Sequence, residues 1–228
     1  YSSFQQIPRM ATMGRAIAAA LSGPGPRTLL AASCAYLAKR LSKPKLGAVP
    51  AFMDSLEGVY FLRRSLFMPE ALPALMGADM AREGLARLGG SPPGMSKADA
   101  RCGSAAVGLL ESTHYLRNQL LRDSDWASMG HSLELRTPLV DVVLLESLGP
   151  YVASFTGGTG KAMLARSPGK PLPDAIINRP KTGFSLPMAQ WLSEATTQHA
   201  SGEPPLPAAP GTPWARRWAQ IMIEGVIA

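Results

Sequence analysis

Two stretches of this 228-residue chain carry side chains that can do chemistry. In the run LLRDSDWASMGHSLELRTPLVD, ending at Asp141, the groups Arg122, Asp123, Asp125, Ser128, Glu134 and Arg136 are interleaved with apolar residues. Carrying such groups into a partly buried setting is costly unless each finds a partner or a charged ligand. Two readings follow: an ion-pair network that braces a helix against a loop, or the wall of a site for a polyanionic substrate. In the second stretch, NRPKTGF, Arg179 and Lys181 flank Pro180, and Gly183 follows. Proline and glycine keep this backbone out of a regular helix, so two cations are presented from a loop, as in a phosphate clamp.

These groups must be positioned by helices. Residues 10–21 are Ala-rich and stop at Ser22-Gly23-Pro24. Leu30, Cys34, Leu37 and Leu41 recur at helical spacing, which predicts a core-facing amphipathic helix ended by a basic Pro/Gly turn over 42–50. The helical pattern resumes over 51–67 and in short pieces at 69–75 and 80–88, before an exposed loop, GGSPPGM, over 89–95. A helix over 104–121 then delivers the chain into the first stretch, where His114 and Tyr115 read as packing residues. Asp141 is placed to cap a helix over 142–148, which Gly149-Pro150 should close. Tyr151 to Thr156 is the one β-favouring piece. A short helix over 161–165 leads to the NRPKTGF loop, and Ser185 and Pro187 should open another running past Trp191 to about Gln198. SGEPPLPAAPGTP over 201–213 has the composition of a linker, and Trp214, Trp218, Ile221 and Met222 mark a final amphipathic helix over 214–228.

The order of Asp125, Ser128, Met129, Ser132, Glu134, Arg136, Pro138 and Asp141 resembles the synthetase domain of glutamine-dependent asparagine synthetases. Lys161, Leu172-Pro173, Arg179 to Phe184, Pro187 and Trp191 follow in the order of that family's closing segment. The resemblance is good over 115–192 and weak over the first hundred residues. It implies a mainly α-helical piece, residues 1–200, of an α/β synthetase domain of the adenine-nucleotide α-hydrolase (ATP pyrophosphatase) type. It also implies a reaction: ATP, with its Mg, activates an aspartate-type carboxylate as an acyl-adenylate, and ammonia drawn from glutamine attacks it.

By the same resemblance Lys181 is the catalytic lysine that meets the departing pyrophosphate. Arg179, Arg122 and Ser128 are candidate phosphate contacts, and Asp125, Glu134 and Arg136 support them. Arg122 departs from the family, which usually carries lysine or another residue there. Tyr1 with SSFQQIPRM looks like the point just after the family's acidic Gly-rich loop, so a glutaminase domain and an ATP loop are expected to precede it. This chain alone is then expected to bind nucleotide poorly and to be inactive. Two rivals remain: a β-lactam synthetase or lasso-peptide cyclase, in which an internal amine attacks the adenylate, and a helical interaction module with no chemistry.

Composition narrows the other classes. Lys and Arg number 23 against 16 Asp and Glu, a net charge of +7, which suits a phosphate-bearing substrate, nucleic acid or anionic membrane. The cations are spread, with the densest group at Lys39, Arg40, Lys43 and Lys45, and no RNA-binding aromatic signature accompanies them, so nucleic acid is not an expected partner. The apolar region 16–38 is broken by GPGPR, which excludes a bilayer span there. Cys34 and Cys102 lack metal or redox spacing and read as buried thiols of a cytoplasmic protein, and the three histidines form no ligand pattern. A homodimer is among the implied assemblies.

Overall fold

The structure is a computed structural model that describes residues 2–90, 92–93, 103–152, 160–180, 186–198 and 213–227. Every regular element among them is helical. The chain divides into two compact units, Tyr1–Arg63 with Met95–Arg179, and Arg64–Gly94 with Pro180–Ala228.

The first unit opens with α1 (Ser2–Gln5), α2 (Ile7–Ala20), α3 (Pro24–Arg40), α4 (Lys45–Phe52) and α5 (Leu56–Arg64). It continues with α8 (Ser104–Leu110), a π-helical segment (Glu111–Leu121) and α9 (Arg122–Met129). A 3₁₀ turn (Pro138–Val140), α10 (Val142–Val152), α11 (Gly160–Arg166) and α12 (Asp174–Ile177) complete it. Its core forms where α2, α5 and α8 meet: Ile7 and Ala11 pack with Leu56, Val59 and Tyr60, and with Ala106, Val107 and Leu110. Tyr60 and Ile7 are wholly buried. Small residues allow the close approach: a Cβ on Gly14 would overlap the Met53 carbonyl oxygen, and one on Gly58 the Phe52 carbonyl oxygen.

The second unit contains a 3₁₀ turn (Pro69–Ala71), α6 (Leu72–Met76) and α7 (Ala78–Leu88), then α13 (Met188–Gln198) and α14 (Trp214–Ile227). Here α14 lies against α6 and α13. The Arg216 Nε donates to the Leu66 carbonyl at 2.9 Å, and its guanidinium sits 5.5 Å from the centre of the Phe67 ring.

Several expectations are corrected. The turn over 42–50 is confined to its first residues, because α4 begins at Lys45 and contains Pro50. Likewise Pro150 does not close α10, which runs to Val152, so Tyr151 and Val152 are helical rather than extended. The rest of that β-favouring piece lies outside the described residues. Both prolines lie within the last turn of their helices, so little helix follows the hydrogen bond that each removes. On α3 the face turned inward is Leu30, Cys34 and Ala38, whereas Leu37 and Leu41 are exposed. Its helical period put Leu37 near that face, but the neighbour α4 meets the Ala38 side, where Gly47 comes close. Cys34 is a half-buried free thiol, and Cys102 lies outside the described residues.

Lys45 is not part of a solvated basic patch. Its Nζ donates to the Leu62 carbonyl at 2.8 Å and to the Arg63 carbonyl at 3.5 Å, satisfying the open C-terminal end of α5.

Asp141 is the helix cap that its position suggested: its Oδ1 accepts from the Val143 N–H at 2.9 Å and from the Leu144 N–H at 3.1 Å. Asp141→Ala should therefore cost about 1 kcal/mol of stability, readable in urea denaturation, while Asp141→Asn should retain most of it.

Candidate functional site

The first chemical stretch is delivered by a helix whose winding changes. Over Glu111–Leu121 the backbone is π-helical before α-helical winding resumes at Arg122. The hydroxyls of Ser112 and Thr113 donate at 2.9 Å to the carbonyls of Gly108 and Leu109, four residues back. They compete there with the backbone N–H groups that an α-helix would use, a local reason for the wider winding.

Beyond Met129 the chain turns sharply. The Leu133 N–H reaches the Ser128 carbonyl at 3.0 Å and the Ser132 N–H the Met129 carbonyl at 2.9 Å, closing the helix in a Schellman arrangement. The position that usually takes glycine is Ser132, at φ 57°. Sequence reasoning missed this turn, because Gly130 draws attention two residues too early.

The charged groups of this stretch are not buried. Arg122, Asp125, Glu134 and Arg136 are all exposed and Ser128 is half-buried, contrary to the expected partly buried setting. Among the described residues no element is laid over them, so their charges face solvent. Arg122 stacks its guanidinium 4.2 Å from the centre of the Trp126 ring, one helical turn away. Ser128 Oγ donates to the Asp125 backbone carbonyl at 3.2 Å rather than pointing to a free position. Glu134 and Arg136 form an ion pair at 2.9 Å, with side chains 69% and 84% exposed.

Arg179 is exposed, and among the described residues no ion pair joins it to Asp125 or Glu134. Lys181 and residues 182–185 lie outside the described residues. The structure thus brings Arg122, Asp125 and Ser128 together on α9 and pairs Glu134 with Arg136. It does not join these groups to Arg179.

An ion pair this open to water contributes little to folding, about 0.5 kcal/mol. Arg136→Ala should leave the urea midpoint of this chain almost unmoved. A large loss of stability would mean that the pair braces the fold, the structural reading of these residues.

Large apolar side chains also face outward along the same stretch. Trp126, Leu133 and Val143 are 62%, 64% and 64% exposed, and Met129, Leu135, Leu139, Val142, Leu145 and Tyr151 are exposed with them. Apolar side chains turned outward in such number over one stretch make it a candidate interaction surface.

The ordinary titration of His114 is altered by its surroundings. Burial, and then the nearby Arg117 charge, push its pKa below the usual histidine value. The unfolded chain therefore binds a proton at a higher pH than the folded one. Stability should be full above about pH 6.5 and should fall as pH drops from there through the lowered folded value. His114→Gln should flatten that slope in denaturation curves between pH 7 and 5.

No helix among the described residues is long and apolar enough to cross a membrane. Nor do they contain a group of three or more His, Cys, Asp or Glu that could hold a metal ion.

Residues 5–203 match the family model described as asparagine synthase. The chain is 34% identical over 80 residues to "Asparagine synthetase [glutamine-hydrolyzing] 1" of Bacillus subtilis, covering 34% of this chain and 13% of that protein. It is 38% identical over 80 residues to a Mycobacterium bovis protein named "Putative asparagine synthetase [glutamine-hydrolyzing]", covering 34% of this chain and 12% of that protein. The chain thus spans only about an eighth of the length of these curated relatives. No solved structure matches it. With a match that takes in most of its length, and with the two ordered residue blocks inside that match, the chain belongs to the asparagine synthase family.

Proposed function

We propose that this chain is the C-terminal part of an ATP-dependent, glutamine-using amidotransferase that converts an aspartate-type carboxylate into an amide. The observation that carries the reading is the two ordered blocks, Asp125 to Asp141 and Arg179 to Phe184, within a chain of the asparagine synthase family. ATP turns the poor leaving group of a carboxylate into AMP by forming an acyl-adenylate with loss of pyrophosphate. Ammonia then attacks the acyl carbon and AMP leaves.

Each charged group has a task in that scheme. Lys181 meets the negative charge that builds on the departing pyrophosphate, an interaction that strengthens in the transition state. Arg179, exposed and without an ion-pair partner among the described residues, is free to turn toward phosphate oxygens. Arg122, stacked on Trp126, can contribute to the same positive wall. Ser128 and Asp125 hold the turn of helix that carries them, and Glu134 orients Arg136.

These residues alone do not make a nucleotide site, because the chain has no glycine-rich phosphate loop of the G-x-x-x-x-G-K-[ST] or G-x-G-x-x-G kind. The exposed apolar run from Trp126 to Tyr151 supports a second part of the reading: polypeptide bearing the ATP loop, in an α/β domain of the ATP pyrophosphatase type, covers this face and completes the site.

The test is ATP/pyrophosphate exchange by the full-length protein. Exchange should require aspartate, and glutamine should then yield asparagine. Exchange that responds to another carboxylate and not to aspartate overturns the substrate assignment. Absence of exchange with every carboxylate overturns adenylation.

A further inference from the structure

Away from both chemical stretches, the first unit carries a cavity of about 70 Å³ where the ends of α2 and α4 meet the start of α3. Its charged lining is Arg27 on α3 and Asp54 just beyond α4, while Ala18, Leu21, Leu30 and Met53 supply apolar walls. The close approach of Gly14 to the Met53 carbonyl holds the end of α4 against α2.

Arg27 and Asp54 are opposite charges on one cavity, yet among the described residues no ion pair joins them. The Arg27 Nη2 donates to the Ala18 carbonyl at 3.3 Å, which steadies the guanidinium and leaves other N–H groups of its fork to give. Among the described residues no hydrogen bond or ion pair engages the Asp54 carboxylate. Both residues are exposed, so a ligand reaches them from solvent. Leu21 and Met53, which cap α2 and α4 at their C-terminal ends, also line the cavity, so the negative ends of two helices lie at its wall.

A lone cation would meet Arg27 as a like charge, and a lone anion would meet Asp54 and two helix C-termini. A ligand that carries both charges satisfies both: its carboxylate accepts from the guanidinium fork, and its ammonium donates to the Asp54 carboxylate. One water-sized group needs about 10–15 Å³, so the space takes a ligand of only a few heavy atoms, far smaller than a drug-sized molecule. We propose that this cavity binds a small aliphatic α-amino acid as its zwitterion, with the carboxylate on Arg27, the ammonium on Asp54 and the short side chain against Leu30 and Met53. None of the lining residues belongs to the two asparagine synthase blocks, so the inference stands apart from the proposed reaction.

The experiment is saturation-transfer difference NMR of the 228-residue chain with L-alanine at constant ionic strength, observing the alanine methyl group. A signal that saturates with L-alanine concentration is expected. Propionate lacks the ammonium of alanine and ethylammonium lacks its carboxylate. Each should displace L-alanine at least about tenfold less well than glycine does, because each leaves one charged wall unpaired.

Arg27→Gln and Asp54→Asn should each raise the apparent Kd for L-alanine about tenfold or more. Lys39→Gln removes an exposed cation outside the lining and should leave that Kd unchanged. Far-UV circular dichroism checks that each variant keeps its helices, and if one does not, the propionate and ethylammonium competition on the parental chain still decides. The proposal is overturned by the absence of a saturable signal, by displacement with propionate or ethylammonium as effective as with glycine, by parental affinity in a folded Arg27→Gln or Asp54→Asn, or by an equal loss in Lys39→Gln.

Discussion

Lys181→Ala in the full-length protein should lower aspartate-dependent ATP/pyrophosphate exchange by about 10²–10³-fold, or about 2.7–4 kcal/mol in the barrier. The size follows from the place of the charge. Negative charge builds on the departing pyrophosphate as the acyl-adenylate forms, and in a site closed to water a fixed ammonium lowers the energy of that state more than that of bound ATP. KM for ATP should therefore change less than kcat. Lys181→Arg keeps the charge but replaces a compact ammonium with a planar fork, so it should recover only part of the rate. Arg179→Ala should weaken ATP binding with a smaller loss in kcat, as expected for a cation that holds phosphate before and during the reaction. If Lys181→Ala exchanges near the parental rate, the role assigned to that lysine is wrong.

Tyr60→Ala should destabilise the chain by about 3–5 kcal/mol in urea denaturation, the range for a buried aromatic truncated to a methyl group. Tyr60 is wholly buried among Ile7, Leu56, Val59, Val107 and Leu110, and it is the largest fully buried side chain where α2, α5 and α8 meet. Its hydroxyl also donates to Glu111 Oε1 at 2.7 Å and to the Leu110 carbonyl at 3.4 Å. Tyr60→Phe separates the two contributions. It preserves the packing and removes the donor, and should cost about 1.5 kcal/mol, as for a hydrogen bond to a charged group. If Tyr60→Ala costs no more than Tyr60→Phe, the junction of these helices is not the core of the unit.

Both predictions rest on residues that the sequence treats very differently. Lys181 is legible from its neighbours: a lysine between proline and glycine, downstream of an ordered acidic and basic block, is enough to recognise the family. Tyr60 is one aromatic among several in a helical stretch, and nothing local singles it out. Its importance comes from α2 and α8, about fifty residues away on either side. The hydrogen bond to Glu111 spans 51 positions, a separation at which no periodicity can pair two residues.

The sequence by itself determined the family, the positions of most helices and the Asp141 cap, because these depend on neighbours within a few residues: a side-chain acceptor at a helix start, glycine and proline at the stops, and a 3.6-residue period between them. The tertiary structure alone decided which faces are covered. It left Leu37 and Leu41 in water while Ala38 faces α4, turned Lys45 from a surface cation into a cap for α5, and set Arg122, Asp125, Glu134 and Arg136 in the open. Burial is a relation between two surfaces, and a sequence pattern describes only one of them at a time.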